Sequence, residues 1–482
     1  MTDLRPILYV QGWLLLAVAA TMVLPALADG AIGHPNWKVF AAAAAFTLFF
    51  AVAALVAFRQ QSVRLNVRQG FALTGISWST TSAFAALPFV FADLNLSYAD
   101  AFFEAVSGLT TTGSTVIVGL DAAPRGILLW RGLLQALGGL GIIVMAILVL
   151  PFLRIGGMQL FHAESSDRSE KVMPRLTAVI GSIALGYGVL NLLSAIAFAA
   201  AGMDLFDATI HAMASLATGG FSTKDASIGF YQSPAIEWVA TISMLLGGLP
   251  LVIYVRLARR EFAAVASDRQ VRAMLIFLAV TIAALTVWLM ATKGYEFGRA
   301  VRAVALSVVS VVTTTGFVTE DYGAWGEFAL AAFFVLMFVG GCTGSTAGGI
   351  KIFRFQIAWL RFRTQLRRLT QPHTVVPMVY QGRTVPDDVP GSVTHFFLTY
   401  IACTIALALG LALAGLDFLS ALSGAATAIG NVGPGLGPLI GPAGNFASVP
   451  DAAKWILSFG MLLGRLEVFT LLVLFSPHTW RG

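Results

Sequence analysis

Apolar residues along this chain gather in blocks of about 20, separated by short polar stretches that carry most of the charge. Val39 to Phe58, Ile180 to Gly202 and Phe397 to Gly415 are apolar on every side, whereas the strands of a membrane barrel alternate with period two in blocks of about 10. The pattern predicts membrane-crossing helices, ten of them, over about 7–28, 38–58, 71–91, 126–153, 176–202, 234–257, 273–292, 326–350, 393–415 and 452–475. The first block is too long for a cleaved signal peptide, and no small-residue cleavage site leads from it into soluble sequence. It is expected to stay in the mature chain.

From residue 71 onward, four of the connections between spans contain a half-length apolar segment, too short to cross, that ends in a small-residue motif. These endings are Thr110-Thr111-Thr112-Gly113-Ser114, Ala217-Thr218-Gly219-Gly220-Phe221, Thr313-Thr314-Thr315-Gly316-Phe317 and Gly430-Asn431-Val432-Gly433-Pro434. Gly113, Gly220, Gly316 and Gly433 recur roughly every hundred residues, which defines a repeated unit of span, re-entrant half helix, glycine motif and span. The predicted organisation is an N-terminal hairpin over 1–70 and four units over 71–175, 176–272, 273–392 and 393–482. The fold class is an all-α polytopic membrane protein with four pseudo-symmetric repeats around one pore. Irregular backbone at membrane depth is tolerated where it is buried or lines a wet cavity. Four such segments on one axis would line a pore with carbonyl oxygens, the chemistry that replaces the hydration shell of potassium. The candidate ion ligands are Thr111, Thr112, Gly113, Thr218, Gly219, Gly220, Thr314, Thr315, Gly316, Asn431, Val432 and Gly433. The competing account, small residues serving helix packing alone, leaves the matched positions of the four motifs unexplained.

The composition, 57% hydrophobic and 11% charged, excludes a soluble domain. Of the 30 Lys and Arg, 21 lie at the termini and in the connections after the even-numbered spans. Seven lie on the opposite face, and Arg131 and Arg465 lie inside spans. The positive-inside rule therefore predicts both termini in the cytoplasm, so the net charge of +6 is a topology signal and no footprint for nucleic acid. The opposite face carries fifteen of the acids, among them Asp100, Glu104, Asp207 and Asp417, which would concentrate cations at an outer mouth. The two cysteines, Cys342 and Cys403, read as core packing. The six histidines form no zinc motif and no nucleophile motif of the G-x-S-x-G kind occurs, so the chain is not expected to be an enzyme. The densest basic cluster, Arg361, Arg363, Arg367 and Arg368, suits anionic lipid or a regulatory partner equally.

With Gly340-Gly341-Cys342-Thr343-Gly344-Ser345-Thr346-Ala347-Gly348-Gly349-Ile350-Lys351 in the eighth span and Gly464-Arg465-Leu466-Glu467-Val468-Phe469-Thr470 in the tenth, the sequence resembles the Trk/Ktr/HKT superfamily of cation transporters along its whole length. The extra N-terminal pair of spans is closer to the Trk branch. The resemblance implies a potassium-uptake pore of the bacterial inner membrane and a homodimer with one pore per subunit. It also implies a cytoplasmic nucleotide-binding regulatory partner, potassium as substrate and no organic cofactor. It implies further that Gly344, Ser345, Thr346, Gly348 and Gly349 belong to a loop that crosses the pore as a gate, and that Arg465 is a cationic barrier beside the path. A phosphate loop is not formed, because Ile350 separates Gly349 from Lys351. Asn431-Val432 departs from the threonines of the first and third motifs, so selectivity is expected to be less strict than in a fourfold identical filter. Gly113 stands where plant relatives that prefer sodium have serine. A symporter coupled to sodium or protons is the alternative; such a mechanism usually puts an acid at midplane, and only Glu467 lies well inside a span.

Overall fold

A computed structural model of the chain describes residues 3–60, 65–148, 172–371 and 377–480. Six of its described helices are long and apolar enough to cross a membrane, and two further helix pairs pass the same test if each is counted as one bent span. Arg5–Ala31 and Trp37–Ala57 form the N-terminal hairpin. It is fastened to the first repeat by Asp29, whose Oδ1 accepts the Gly126 amide at 2.6 Å. The end of the fourth expected span, 149–153, lies outside the described residues, as do the bases Arg154, Arg168 and Lys171.

Each repeat delivers a half-length helix: Tyr98–Leu109, Leu205–Leu216, Phe297–Val312 and Phe418–Gly430. Three begin on an acidic or hydroxyl cap. Ser97 and Asp100 form a reciprocal capping box, Asp204 accepts the Phe206 amide, and Asp417 accepts the Ser420 amide. Each cap satisfies amides that the first turn of a helix leaves without partners. All four half helices end in the glycine motifs, so the negative ends of their dipoles meet there.

Three expected spans differ from straight helices. The sixth breaks between Pro234–Gly248 and Val252–Ala258 with a bend of 99°, where Pro250 removes an amide and Gly247-Gly248 weakens the preceding turn. The tenth breaks by 110° after Arg465, and Glu467 and Val468 both take positive φ there, 62° and 45°. The eighth, expected over 326–350, is helical only over Glu327–Leu336. The glycine-rich stretch that follows leaves the helix, as five glycines in ten residues favour, and Ile352–Thr370 then carries the basic cluster on a helix. A two-residue antiparallel ladder, Val379–Tyr380 with Arg383–Thr384, and an isolated parallel bridge between Val339 and Ile350 are the departures from helix and loop among the described residues. Cys342 is buried with its thiol toward the Met274 sulfur at 3.6 Å, and Cys403 is half-buried.

Candidate functional site

The four half helices close in the same way. In each, the residue after the last turn donates to a carbonyl three residues back: Thr111 to Gly108, Thr218 to Ser215, Thr314 to Val311 and Asn431 to Ala428. The next residue donates to a carbonyl five back: Thr112 to Ser107, Gly219 to Ala214, Thr315 to Ser310 and Val432 to Thr427. This resembles a Schellman closure, which places one residue in the left-handed region and ordinarily uses glycine there. Here that residue is Thr111, Thr218, Thr314 or Asn431, at φ of 52°, 52°, 57° and 54°. A β-branched side chain at positive φ is an outlier that holds of the order of 1–3 kcal/mol of strain. Its recurrence at three matched positions, with asparagine at the fourth, marks a constraint common to the repeats. Two residues on, Gly113, Gly220, Gly316 and Gly433 have φ of 88°, 76°, 85° and 108°.

These turns form a closed ring. A Cβ on Gly113 would overlap the Gly219 carbonyl oxygen, one on Gly220 that of Thr315, and one on Gly316 that of Val432. One on Gly433 would lie 2.8 Å from that of Thr112. Each repeat is thus seated against the next and the fourth against the first. The four glycines also line one cavity on the acidic side, together with Arg131 and Asn445. All twelve sequence-predicted ligand positions are therefore brought together, and the threonines and asparagine among them are fully buried.

The glycine-rich stretch of the third repeat sits against the other side of this ring. Its ends are tied by the Gly340 amide to the Ile350 carbonyl at 2.9 Å. The Gly348 amide donates to Thr314 Oγ1 at 2.7 Å, Thr346 Oγ1 donates to the Leu216 carbonyl at 2.8 Å, and Thr218 Oγ1 donates to Thr346 Oγ1 at 3.2 Å. The break in the sixth span frees carbonyls that hold the loop further: Cys342 donates to Gly248 and Thr346 to Gly247. Gly344 and Gly349 have φ of 79° and 64°, which glycine alone adopts readily. Ser345 is buried and donates to the Cys342 carbonyl.

Arg465 lies at the end of Asp451–Arg465, buried, with Nη1 donating to the Thr346 carbonyl at 2.7 Å and Nη2 to the Gly138 carbonyl at 3.4 Å. It lines a cavity with Gly344, Gly348, Lys351 and Glu467. Its partners are the loop and the first repeat rather than the carbonyls of the fourth motif. Glu467 pairs with Arg354 at 2.6 Å, so it is neither the partner of Arg465 nor a midplane acid without a counter-ion. Lys351 donates to the Ala347 carbonyl, one residue from the carbonyl that Arg465 holds.

Some functional candidates were missed in the sequence. Glu104 and Arg131 form a buried ion pair at 2.8 Å behind the ring, Arg131 donating also to the Ser222 carbonyl at 2.6 Å. Gly138-Gly139, Gly247 and Gly464 let the second halves of the first, second and fourth repeats pass the turns at contact distance: side chains at Gly138, Gly139, Gly247 and Gly464 would meet Leu109, Ala217, Leu216 and Ile429. The signal was present, since these glycines recur roughly 25 to 30 residues after the motif glycines.

Helices with apolar exterior faces, a closed ring of strained turns and an irregular loop lying across it define a membrane transport protein with a single fourfold pseudo-symmetric pathway. The family model described as a cation transport protein, TrkH, matches residues 36–481, and the chain belongs to the TrkH family. The potassium uptake protein TrkI of Halomonas elongata is 48% identical over 99% of this chain and 97% of its own. TrkH of Escherichia coli K12 is 37% identical over 99% of each. The crystal structure of the potassium transporter TrkH from Vibrio parahaemolyticus superposes with a TM-score of 0.91 at 34% identity, covering the whole of both chains.

Proposed function

We propose that this chain is the membrane subunit of a potassium-uptake system, conducting dehydrated potassium through the ring of four glycine turns. The observation that carries the reading is the cyclic closure of those turns, Gly113 against Gly219, Gly220 against Thr315, Gly316 against Val432 and Gly433 against Thr112. A ring in which the carbonyls of one repeat abut the glycines of the next offers layered oxygen ligands on a common axis, and the four helix C-termini add negative potential. The names of its relatives, potassium uptake proteins of Trk systems, agree with this chemistry. In this reading Thr111, Thr218, Thr314 and Asn431 open the filter toward the loop, and Gly113, Gly220, Gly316 and Gly433 close it at the mouth. Residues 340–349 are the gate, and Arg465 both holds the gate and bars the path as a fixed positive charge. Glu467 is committed to Arg354, which speaks against coupling through that carboxylate. The bacterial inner membrane with both termini cytoplasmic, a homodimer and a nucleotide-binding regulatory partner complete the proposal.

The test is flux into liposomes that contain the purified protein, comparing potassium, rubidium, sodium and lithium. Serine at Gly113, Gly220 or Gly316 places a side chain on a neighbouring carbonyl, and each variant is expected to lower the potassium-to-sodium flux ratio. If all three leave that ratio unchanged, the filter assignment is wrong.

A further inference from the structure

The second of the four turns differs from the first and third at two positions, Ala217 and Gly219. Where the first and third repeats have Thr112 and Thr315, the second has Gly219. Its φ lies outside the left-handed region, so the backbone there does not require glycine. What keeps the position bare is space. A Cβ on Gly219 would lie 2.4 Å or more from the side-chain amide atoms of Gln135 and inside their contact distance. Gln135 belongs to Arg125–Leu148 of the first repeat, is fully buried, and uses both ends of its amide on this turn. Nε2 donates to the Gly219 carbonyl at 2.6 Å, and Oε1 accepts the Phe221 amide at 3.1 Å. The donor and acceptor demands of that turn fix which way the amide points.

In the first and third turns a brace comes from within. Thr112 Oγ1 lies 2.7 Å from Thr110 Oγ1, and Thr315 Oγ1 lies 2.8 Å from Thr313 Oγ1. The second turn has Ala217 where those have threonine, and so has neither hydroxyl.

We infer that Gln135 is a specificity-determining positioning residue, a cross-repeat brace that stands in for the missing threonines and sets the Gly219 carbonyl in the ring. The inference rests on the reading of this ring as the ion filter. Gln135 does not ligate the ion; it acts through the carbonyl and amide it holds, so its loss should alter discrimination among ions more than the amount of folded protein. Gln135 and Gly219 are then a matched pair: neither can change alone without distorting the turn, while changing both puts a threonine, as in the first and third repeats, into the space that Gln135 vacates.

The experiment is potassium, rubidium and sodium flux into proteoliposomes for Gln135→Ala, Gln135→Leu, Gly219→Thr, the double variant Gln135→Ala with Gly219→Thr, and Gly113→Ser as the reference. Thermal unfolding in detergent serves as the measure of folding. The expected result is a several-fold fall in the potassium-to-sodium ratio for each single variant and recovery of most of that loss in the double variant. Single Gln135 variants that keep the parent ratio, while Gly113→Ser loses it, overturn the role of Gln135 and leave the filter in place. Losses in the double variant that equal or exceed the sum of the singles also overturn it, since the two residues would then act independently. An unchanged ratio in Gly113→Ser as well would overturn the filter reading beneath it. If Gln135→Ala does not fold, Gln135→Glu keeps the volume while giving up the donor to Gly219. It is expected to lower the ratio; parent selectivity in that variant counts against the brace.

Discussion

At the scale of single residues, the positions that resist ordinary rules are the ones that meet the ring. Three threonines and an asparagine occupy left-handed backbone, and each is pinned by the bonds of the helix end before it. Arg465 was legible as an anomaly, because a cation inside an apolar span must face protein or water. Its actual partners were not legible, since the Thr346 and Gly138 carbonyls come from distant parts of the chain. A buried charge-assisted hydrogen bond contributes about 1.5–3 kcal/mol, and under the proposed gating a loop that leaves the ring gives up the bond between Arg465 and Thr346. Arg465→Ala is therefore expected to raise the open population roughly tenfold or more, with potassium flux rising and the potassium-to-sodium ratio unaltered. Arg465→Lys keeps the charge but not the forked donor, and should fall between the two. Single-channel or proteoliposome flux decides it. Unaltered flux in a well-folded Arg465→Ala protein would remove the residue from both latch and barrier.

At the scale of elements, the half helices and their glycine motifs could be read from spacing, whereas the bends of the sixth and tenth spans could not. A window of apolar residues has no record of direction, so a 99° or 110° bend leaves the hydropathy intact. The eighth span is one apolar window over 326–350, yet its five glycines in ten residues point to a loop within it; the path of that loop, set by contacts with the sixth span and the ring, is what the window does not record. Those contacts also correct a simple propensity argument. Alanine at Gly348 would gain about 1 kcal/mol of helix preference, but its Cβ would meet the Gly430 carbonyl at 2.5 Å and Asn431 at 2.9 Å. Such a contact with backbone cannot be relieved by a rotamer change, so the loop must back away from the ring. Gly348→Ala is expected to increase flux without changing ion preference, and a deletion within 343–348 should do so more strongly while abolishing the response to the proposed regulatory partner. Both follow from flux measured with and without that partner. Loss of selectivity with gating intact would mean that the roles of loop and ring are exchanged.

At the scale of the whole molecule, the architecture turns four non-identical sequences into one ring, and its tolerance should vary from repeat to repeat in a way that contacts predict. Two effects compete when a methyl group is added to a ring glycine. Positive φ strains any side chain by the order of 1–3 kcal/mol, and on that ground alone Gly433, at 108° the farthest from the left-handed well, should suffer most. Overlap with the neighbouring repeat ranks the positions the other way. Gly433 has the widest clearance, 2.8 Å to the Thr112 carbonyl, while the added atom at Gly113, Gly220 and Gly316 would fall deeper inside a carbonyl of the next turn and most deeply at Gly220. Dispersion contacts are individually small, but their repulsive side is steep, and the atom that must move is backbone held by the bonds of another repeat. Overlap should therefore win. Alanine at Gly220 is expected to reduce potassium-over-sodium selectivity most and alanine at Gly433 least, with Gly113 and Gly316 between. Ion-flux ratios for the four single variants, each matched for folded protein, test the order directly. If Gly433→Ala proves the most damaging, local backbone strain governs the ring, and coupling between neighbouring repeats is weaker than their contacts imply.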